Sequence, residues 1–224
     1  MHRRWSRADV AGTANRPRYR GQRLRLLVAL FIVGACSNKP PENPKDYVAE
    51  IAAARASKDV MFKTSSASPV PPERRAELLP LAYFPIDPDY KTAAVLKPVT
   101  DTTVLEVPTS TGAVRQMRRV GALEFGLKGQ AFTLTAFVEV GAPDLTHLFV
   151  PFGDMTNGAE TYPGGRYLDL DRNATGFYEL DFNRAYFPYC YYSPTYECPF
   201  PPVENRLRTP VRAGERFKKL DVKG

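Results

Sequence analysis

With 224 residues, 43% of them hydrophobic and 25% charged, the chain has room for one sizeable domain with appendages, or two small ones, of ordinary globular composition. Its formal net charge of +7 invites a nucleic-acid reading, but residues 1–35 hold eight arginines against the single acid Asp9, which is the whole excess. From Cys36 onward basic and acidic residues balance, so that part of the chain has no bulk electrostatic reason to seek nucleic acid or anionic lipid.

Residues 1–35 have the three parts of an export signal. An arginine-rich stretch ends at Arg23-Leu24-Arg25, an uncharged apolar run extends from Leu26 to Val33, and Gly34-Ala35 close it. From Leu26 to Ala35 the run is about half of the ~20 residues that a helix needs to cross a bilayer, so it reads as a signal core and not as a span. Arg3-Arg4 stands far from the apolar run and is followed by polar residues, which argues against twin-arginine export. Val33-Gly34-Ala35-Cys36 resembles the lipobox of bacterial lipoproteins. Cleavage before Cys36 and lipid on its sulfur are therefore expected, against the alternative of an ordinary secretory signal with a chance cysteine. Burial of acyl methylenes contributes ~0.8 kcal/mol each, so two or three chains make a stable anchor where one does not. The expected location is the outer face of a bacterial membrane, toward the periplasm or the cell exterior. Ser37, rather than Asp, after the cysteine resembles outer-membrane sorting.

Residues 36–45 are rich in proline and polar groups and read as an extended tether. Asp46 is a good N-cap, and a helix is expected from Tyr47 to about Lys63. Tyr47, Val48, Ile51, Ala54, Lys58, Met61 and Phe62 fall near one face of it. Pro72 to Leu79 predicts a second, short helix stopped by Pro80. Residues 46–80 thus form a helical arm, and the texture changes at Leu81 to strands and turns. Strands are expected at 102–107, 121–127, 131–140, 146–152, 166–170 and 176–182, with one more flanking Arg212-Ala-Gly-Glu215. Lys128-Gly129-Gln130 is a hairpin signal. The fold class is mainly β with α: an antiparallel β-sandwich or small barrel over residues 81–224, carrying the N-terminal arm.

Familiar catalytic signatures are absent: there is no phosphate loop, no G-x-S-x-G elbow and no H-E-x-x-H helix. Beyond the leader His147 is the single histidine, so a multi-histidine metal site is impossible. It reads as a strand histidine with a satisfied hydrogen bond. Neither a metal nor a cofactor is implied. Cys190 and Cys198 are an even pair outside the cytoplasm and read as a disulfide, whose small loop would stabilise by roughly 2.5 kcal/mol. A reactive thiol or a metal pair is the alternative.

Tyr186 to Pro202 packs seven aromatics and five prolines around these cysteines. Such a loop forms either a stacking platform for a sugar or other flat ligand, or a cap whose rings are core. Upstream, Asp154, Thr156, Glu160, Tyr162 and Arg166 lie in a glycine-rich loop between strands. Asp181, Asn183 and Arg184 end the next strand, and Glu204 and Asn205 follow the cysteine loop. These groups either converge on a pocket mouth or fasten the loops, with the arginines paired to Asp169, Asp181 or Glu204.

The run Phe152–Leu168, then Leu180-Asp-Phe-Asn-Arg-Ala-Tyr186, Pro188-Tyr-Cys190 and Cys198-Pro-Phe-Pro-Pro-Val-Glu-Asn205, resembles the prokaryotic family called domain of unknown function 1684. The resemblance covers about residues 47–220 and includes Tyr83-Phe-Pro-Ile-Asp87. Phe187 departs from it, since an asparagine is the more usual residue there; were that amide a ligand contact, this member would lack it. The resemblance brings no established activity. The leading expectation is a non-catalytic envelope lipoprotein that binds a small polar ligand or another envelope component. The candidate ligand-binding set is Asp154, Thr156, Glu160, Tyr162, Arg166, Asp181, Asn183, Tyr186, Glu204 and Asn205. A rival is a hydrolase-like enzyme using two of Asp154, Glu160, Asp181 and Glu204 as acid and base. A third is a purely structural partner protein, which a flat surface without a pocket would favour.

Overall fold

The computed structural model describes residues 43–100 and 104–218, and these belong to one compact unit. The leader, Cys36 and most of the tether lie outside the described residues. The first element is helix α1, Pro44–Thr64, which starts earlier than expected because Asn43 is the cap: its side chain accepts from the Lys45 N–H at 3.0 Å. Proline at the first helical position fits this start. The buried stripe of α1 is narrower than the sequence suggests. Tyr47, Ile51 and Phe62 are buried, whereas Val48 and Met61 are exposed. A 3-10 turn at Pro72–Arg74 runs into the four-residue helix α2, Arg75–Leu78.

Seven strands follow: β1 Lys91–Pro98, β2 Val104–Pro108, β3 Val114–Leu127, β4 Gln130–Glu139, β5 His147–Phe152, β6 Arg166–Asp171 and β7 Tyr178–Asp181. They form one sheet in the order β6-β5-β4-β3-β1-β7, with every pairing antiparallel and β2 on a separate stretch of β3. A single bridge, Arg172 to Tyr178, joins the two ends of this order, so the sheet curls into a nearly closed barrel. Of the two architectures open to the sequence, the barrel is the one formed.

β3 carries the curvature. Its first half pairs with β2 and its second half with β1, while β4 lines the other edge from Met117 onward. Between Arg119 and Gly121 the register with β4 slips by one residue, which reverses the face on which odd-numbered side chains point. Leu123, Phe125 and Leu127 therefore face the barrel interior, while Met117 faces outward into a small cluster with Val107 and Phe137. Glycine is needed at the slip: a Cβ on Gly121 would lie 2.3 Å from the Lys97 carbonyl oxygen. The β3–β4 turn is the expected hairpin, with Lys128 at φ 49° and Gly129 at φ 79°, the positive pair of a two-residue turn.

The interior is filled by Leu134, Ala136 and Val138 of β4, Leu148, Val150 and Phe152 of β5, and Leu168 and Leu170 of β6. Leu180 and Phe182 belong to the same cluster. Phe137 on the opposite face of β4 is equally buried, in the outer cluster with Val107 and Met117. β1, Lys91–Pro98, lies where the sequence pattern predicts no strand. The strand expected around Arg212–Glu215 is not a strand: it is an extended segment with one bridge, Glu215 to Tyr83.

Candidate functional site

The glycine-rich loop between β5 and β6 is tied down from within. Asp154 and Arg166 form an ion pair at 2.8 Å with both side chains fully inaccessible. The second Asp154 oxygen accepts from the backbone N–H of Thr156 at 2.8 Å and of Val211 at 3.2 Å. Arg166 also donates to the carbonyls of Val211, Ala213 and Glu215, and so holds the C-terminal segment against the barrel. Burial lowers the proton affinity of this guanidinium and the Asp154 carboxylate opposes that. Thr156 is buried with its hydroxyl 2.8 Å from that of Thr161. Glu160 lies at the surface and pairs with Arg212 at 3.0 Å.

Asp181 and Asn183 fasten α1. The Tyr47 hydroxyl donates to Asp181 at 2.8 Å and accepts from the Asn183 amide at 2.9 Å, while Arg184 donates to the other Asp181 oxygen at 3.1 Å. Burial, then the Asp181 charge, raises the Tyr47 hydroxyl well above its ordinary range. Asn205 is buried and spends its side chain on backbone. It accepts from Thr135 N–H at 2.6 Å and donates to Thr135 and Pro151 carbonyls at 2.8 and 2.7 Å. Glu204 beside it is exposed. The ten expected binding residues are thus not gathered into one pocket. Three of the four carboxylates of the acid–base reading are held by arginines.

A buried acid that the sequence did not single out sits at the centre of the packing. Glu215 is 1% exposed. One oxygen is 2.6 Å from Lys58 Nζ of α1; the other accepts from the Phe187 N–H at 2.7 Å and the Tyr192 hydroxyl at 2.8 Å. The available signal was Lys58, a lysine on the apolar stripe of its helix. Phe187, where the family resemblance leads one to expect an amide, is buried against Tyr162, Tyr191 and Phe217.

The aromatic loop divides its rings. Tyr192 and Phe187 are core, whereas Tyr186, Tyr189 and Tyr196 line a cleft of about 480 Å³, inside the ~300–1,000 Å³ usual for small-molecule sites. Phe149 of β5 and Tyr167 of β6 also line it, with Asp169, Glu197, Cys198, Lys58 and Arg115. Tyr186 donates to Asp169 at 2.7 Å; burial first, and then this acid, push its hydroxyl far above the ordinary tyrosine range. A second cavity of about 490 Å³ is lined by Leu78, Leu81, Tyr191 and Phe217 and ends at Lys218, the last described residue. Its walls are mainly apolar.

Cys190 and Cys198 stand side by side as thiols, with the Cys190 N–H donating to the Cys198 sulfur at 3.0 Å. The Cys198 thiol as hydrogen-bond partner brings Cys190 down to about 6, and Ser110 and Tyr162 add to this against the cost of burial. Tyr162 in turn is pushed up to about 12, mainly by burial. His147 pairs with Asp171 across β5 and β6, both side chains being largely exposed. No cluster of three or more histidine, cysteine or acidic side chains able to hold a metal ion occurs among the described residues.

Residues 77–216 match the family described as "Protein of unknown function (DUF1684)". Among solved structures, the chain is similar to the uncharacterized protein from gene locus rrnAC0354 of Haloarcula marismortui, determined by solution NMR. The two are 38% identical over 80% of this chain and 97% of that one, with a TM-score of 0.61. No curated protein matches. The cysteine loop, the Asp154–Arg166 lock and, apart from Lys58, the Tyr186 cleft fall within the matched residues, and the chain belongs to the DUF1684 family.

Proposed function

We propose that this protein is an exported lipoprotein, anchored through lipid on Cys36, that binds a small ligand in the tyrosine cleft without transforming it. The observation that carries the binding reading is the cleft itself: Tyr186, Tyr189 and Tyr196 turn partly accessible rings into a cavity of small-molecule size. Asp154, Glu160 and Asp181 are each engaged by an arginine, and none of them lines the cleft. That favours binding over acid–base chemistry by those residues. The presence of a cleft speaks against a purely structural partner protein.

Export bears on the cysteines as well. Two adjacent thiols in an oxidising compartment close to a disulfide, which pins the tyrosine loop over the cleft wall. Intact-mass measurement of the exported protein after alkylation, with and without reductant, tests this; two alkylated thiols in the unreduced sample would refute it.

The anchor is tested by labelling cells with an alkyne fatty acid. The wild-type chain takes up label and Cys36→Ser does not; equal labelling of both would refute the lipoprotein assignment. The binding reading is tested by a thermal-shift screen of saccharides, nucleosides, amines and carboxylates, repeated on Tyr189→Leu. A ligand that stabilises the wild type and not the variant supports the cleft. Stabilisation that is indifferent to Tyr189, or none across the screen, overturns it.

A further inference from the structure

The walls and the charges of the cleft together define a narrower ligand class. Its rings meet nearly at right angles: Phe149 and Tyr167 at 76° with centroids 4.7 Å apart, Tyr167 and Tyr186 at 90° and 5.8 Å, Tyr189 and Tyr196 at 74° and 5.3 Å. Perpendicular neighbours turn their electron-rich faces in different directions. Such faces attract cations, and most of all organic ammonium groups whose charge is spread and weakly hydrated.

The charges point the same way. Of the two cations beside the cleft, Lys58 is neutralised by Glu215 at 2.6 Å and Arg115 by Glu139 at 3.0 Å, and neither acid lines the cleft. The two acids that do line it, Asp169 and Glu197, accept hydroxyl hydrogen bonds from Tyr186 at 2.7 Å and Thr111 at 3.2 Å, and neither forms an ion pair among the described residues. The lining thus holds two cations and two acids, and the acids are the members without an ion partner. Lys58 Nζ already rests 5.0 Å from the Tyr186 ring centroid, so one ring of the set holds an ammonium group in the free protein.

We propose that the tyrosine cleft binds the trimethylammonium group of a small solute, with the rings of Tyr189 and Tyr196 against its methyl groups and Asp169 and Glu197 balancing its charge. The proposal rests on the cleft being the binding site. Its chemistry is reversible and forms no covalent bond.

The test is isothermal titration of the full chain, solubilised in a nonionic detergent, with three probes of nearly equal shape. These are choline, the uncharged dimethylbutanol in which carbon replaces the ammonium nitrogen, and the anionic dimethylbutanoate. Choline is expected to bind at least about tenfold more tightly than dimethylbutanol, with dimethylbutanoate weakest. High salt should weaken choline and leave the alcohol unchanged. Glu197→Gln, at an exposed position, should cost choline about threefold or more and leave the alcohol unaffected, while Glu204→Gln, away from the cleft, changes neither. Equal affinity for choline and the alcohol, preference for the anion, or an unaltered Glu197→Gln overturns the ammonium assignment. If choline fails but another ligand binds and is lost in Tyr189→Leu, the assignment falls and the cleft stands. If no ligand's binding depends on Tyr189, both fall.

Discussion

The side-chain amide of Asn205 pairs with the backbone of Thr135 in both directions, as a neighbouring strand would: the N–H of Thr135 donates to it at 2.6 Å and the carbonyl accepts from it at 2.8 Å. β4 and β5 share only the pair Phe137 and Phe149, so beyond that point β4 lacks a strand on this edge, and a side chain from the distant segment after the cysteine loop takes its place.

Replacing Asn205 with leucine leaves two carbonyls and one N–H of the buried backbone without partners. Each such loss costs about 1–3 kcal/mol, and the expected destabilisation is about 4 kcal/mol. Urea unfolding followed by far-UV circular dichroism measures it; a loss below about 1 kcal/mol would mean that water or a shift of β5 repairs the gap.

Arg166→Met strands the Asp154 carboxylate in the interior and frees the carbonyls of Val211, Ala213 and Glu215. Breaking a buried pair from one side costs about 3–5 kcal/mol. The double variant Arg166→Met/Asp154→Asn should recover part of this, because a neutral amide still accepts from the Thr156 and Val211 N–H groups. Comparison of the two unfolding midpoints reads the difference.

Tyr47→Phe removes the hydroxyl that joins Asp181 to Asn183. The expected cost is about 1–2 kcal/mol, felt mostly by α1. Limited proteolysis should cut within residues 44–64 sooner than in the wild type, with the barrel fragment persisting.

In the reduced protein, iodoacetamide should modify Cys190 before the buried Cys198, at a rate that climbs through about pH 6 instead of near 9. A folded-state value below the ordinary one means that the Cys190 thiolate favours the fold. That contribution grows as pH rises from about 6 toward 9 and vanishes as pH falls through about 6. Mass spectrometry of the peptide holding residues 186–202 across this range checks the order and the pH of modification.

The barrel was legible where one face of a strand is apolar and the turns are short, as at Gln130–Glu139 and the Lys128-Gly129 hairpin. β1 was not, because Lys91-Thr-Ala-Ala-Val-Leu-Lys-Pro98 has small or charged residues at most positions and owes its strand state to β3 and β7 on either side. The charged first half of β3 escaped for a related reason: Arg115, Arg118 and Arg119 interrupt the apolar alternation there. At the site, the composition of the aromatic loop offered both a platform and a core, and the structure contains both. What decides each ring is whether it faces Glu215, as Tyr192 does, or Asp169, as Tyr186 does, and no local pattern encodes that. Asp154, Glu160 and Asp181 are engaged by arginines while Glu204 stays exposed; Asp154 fastens its loop because a glycine-rich segment without strands needs internal hydrogen bonds to hold a shape.

The Lys58–Glu215 contact joins residues separated by 157 positions, the first described helix to nearly the last described residue. A chain emerging from its N-terminal end therefore makes α1 early and completes its seat last. Until Glu215 arrives, Ile51 and Phe62 have no finished surface to cover, so the seat of the early helix is a contact of high sequence separation that slows folding. Helix α1 is thus held by a part of the chain that is made long after it.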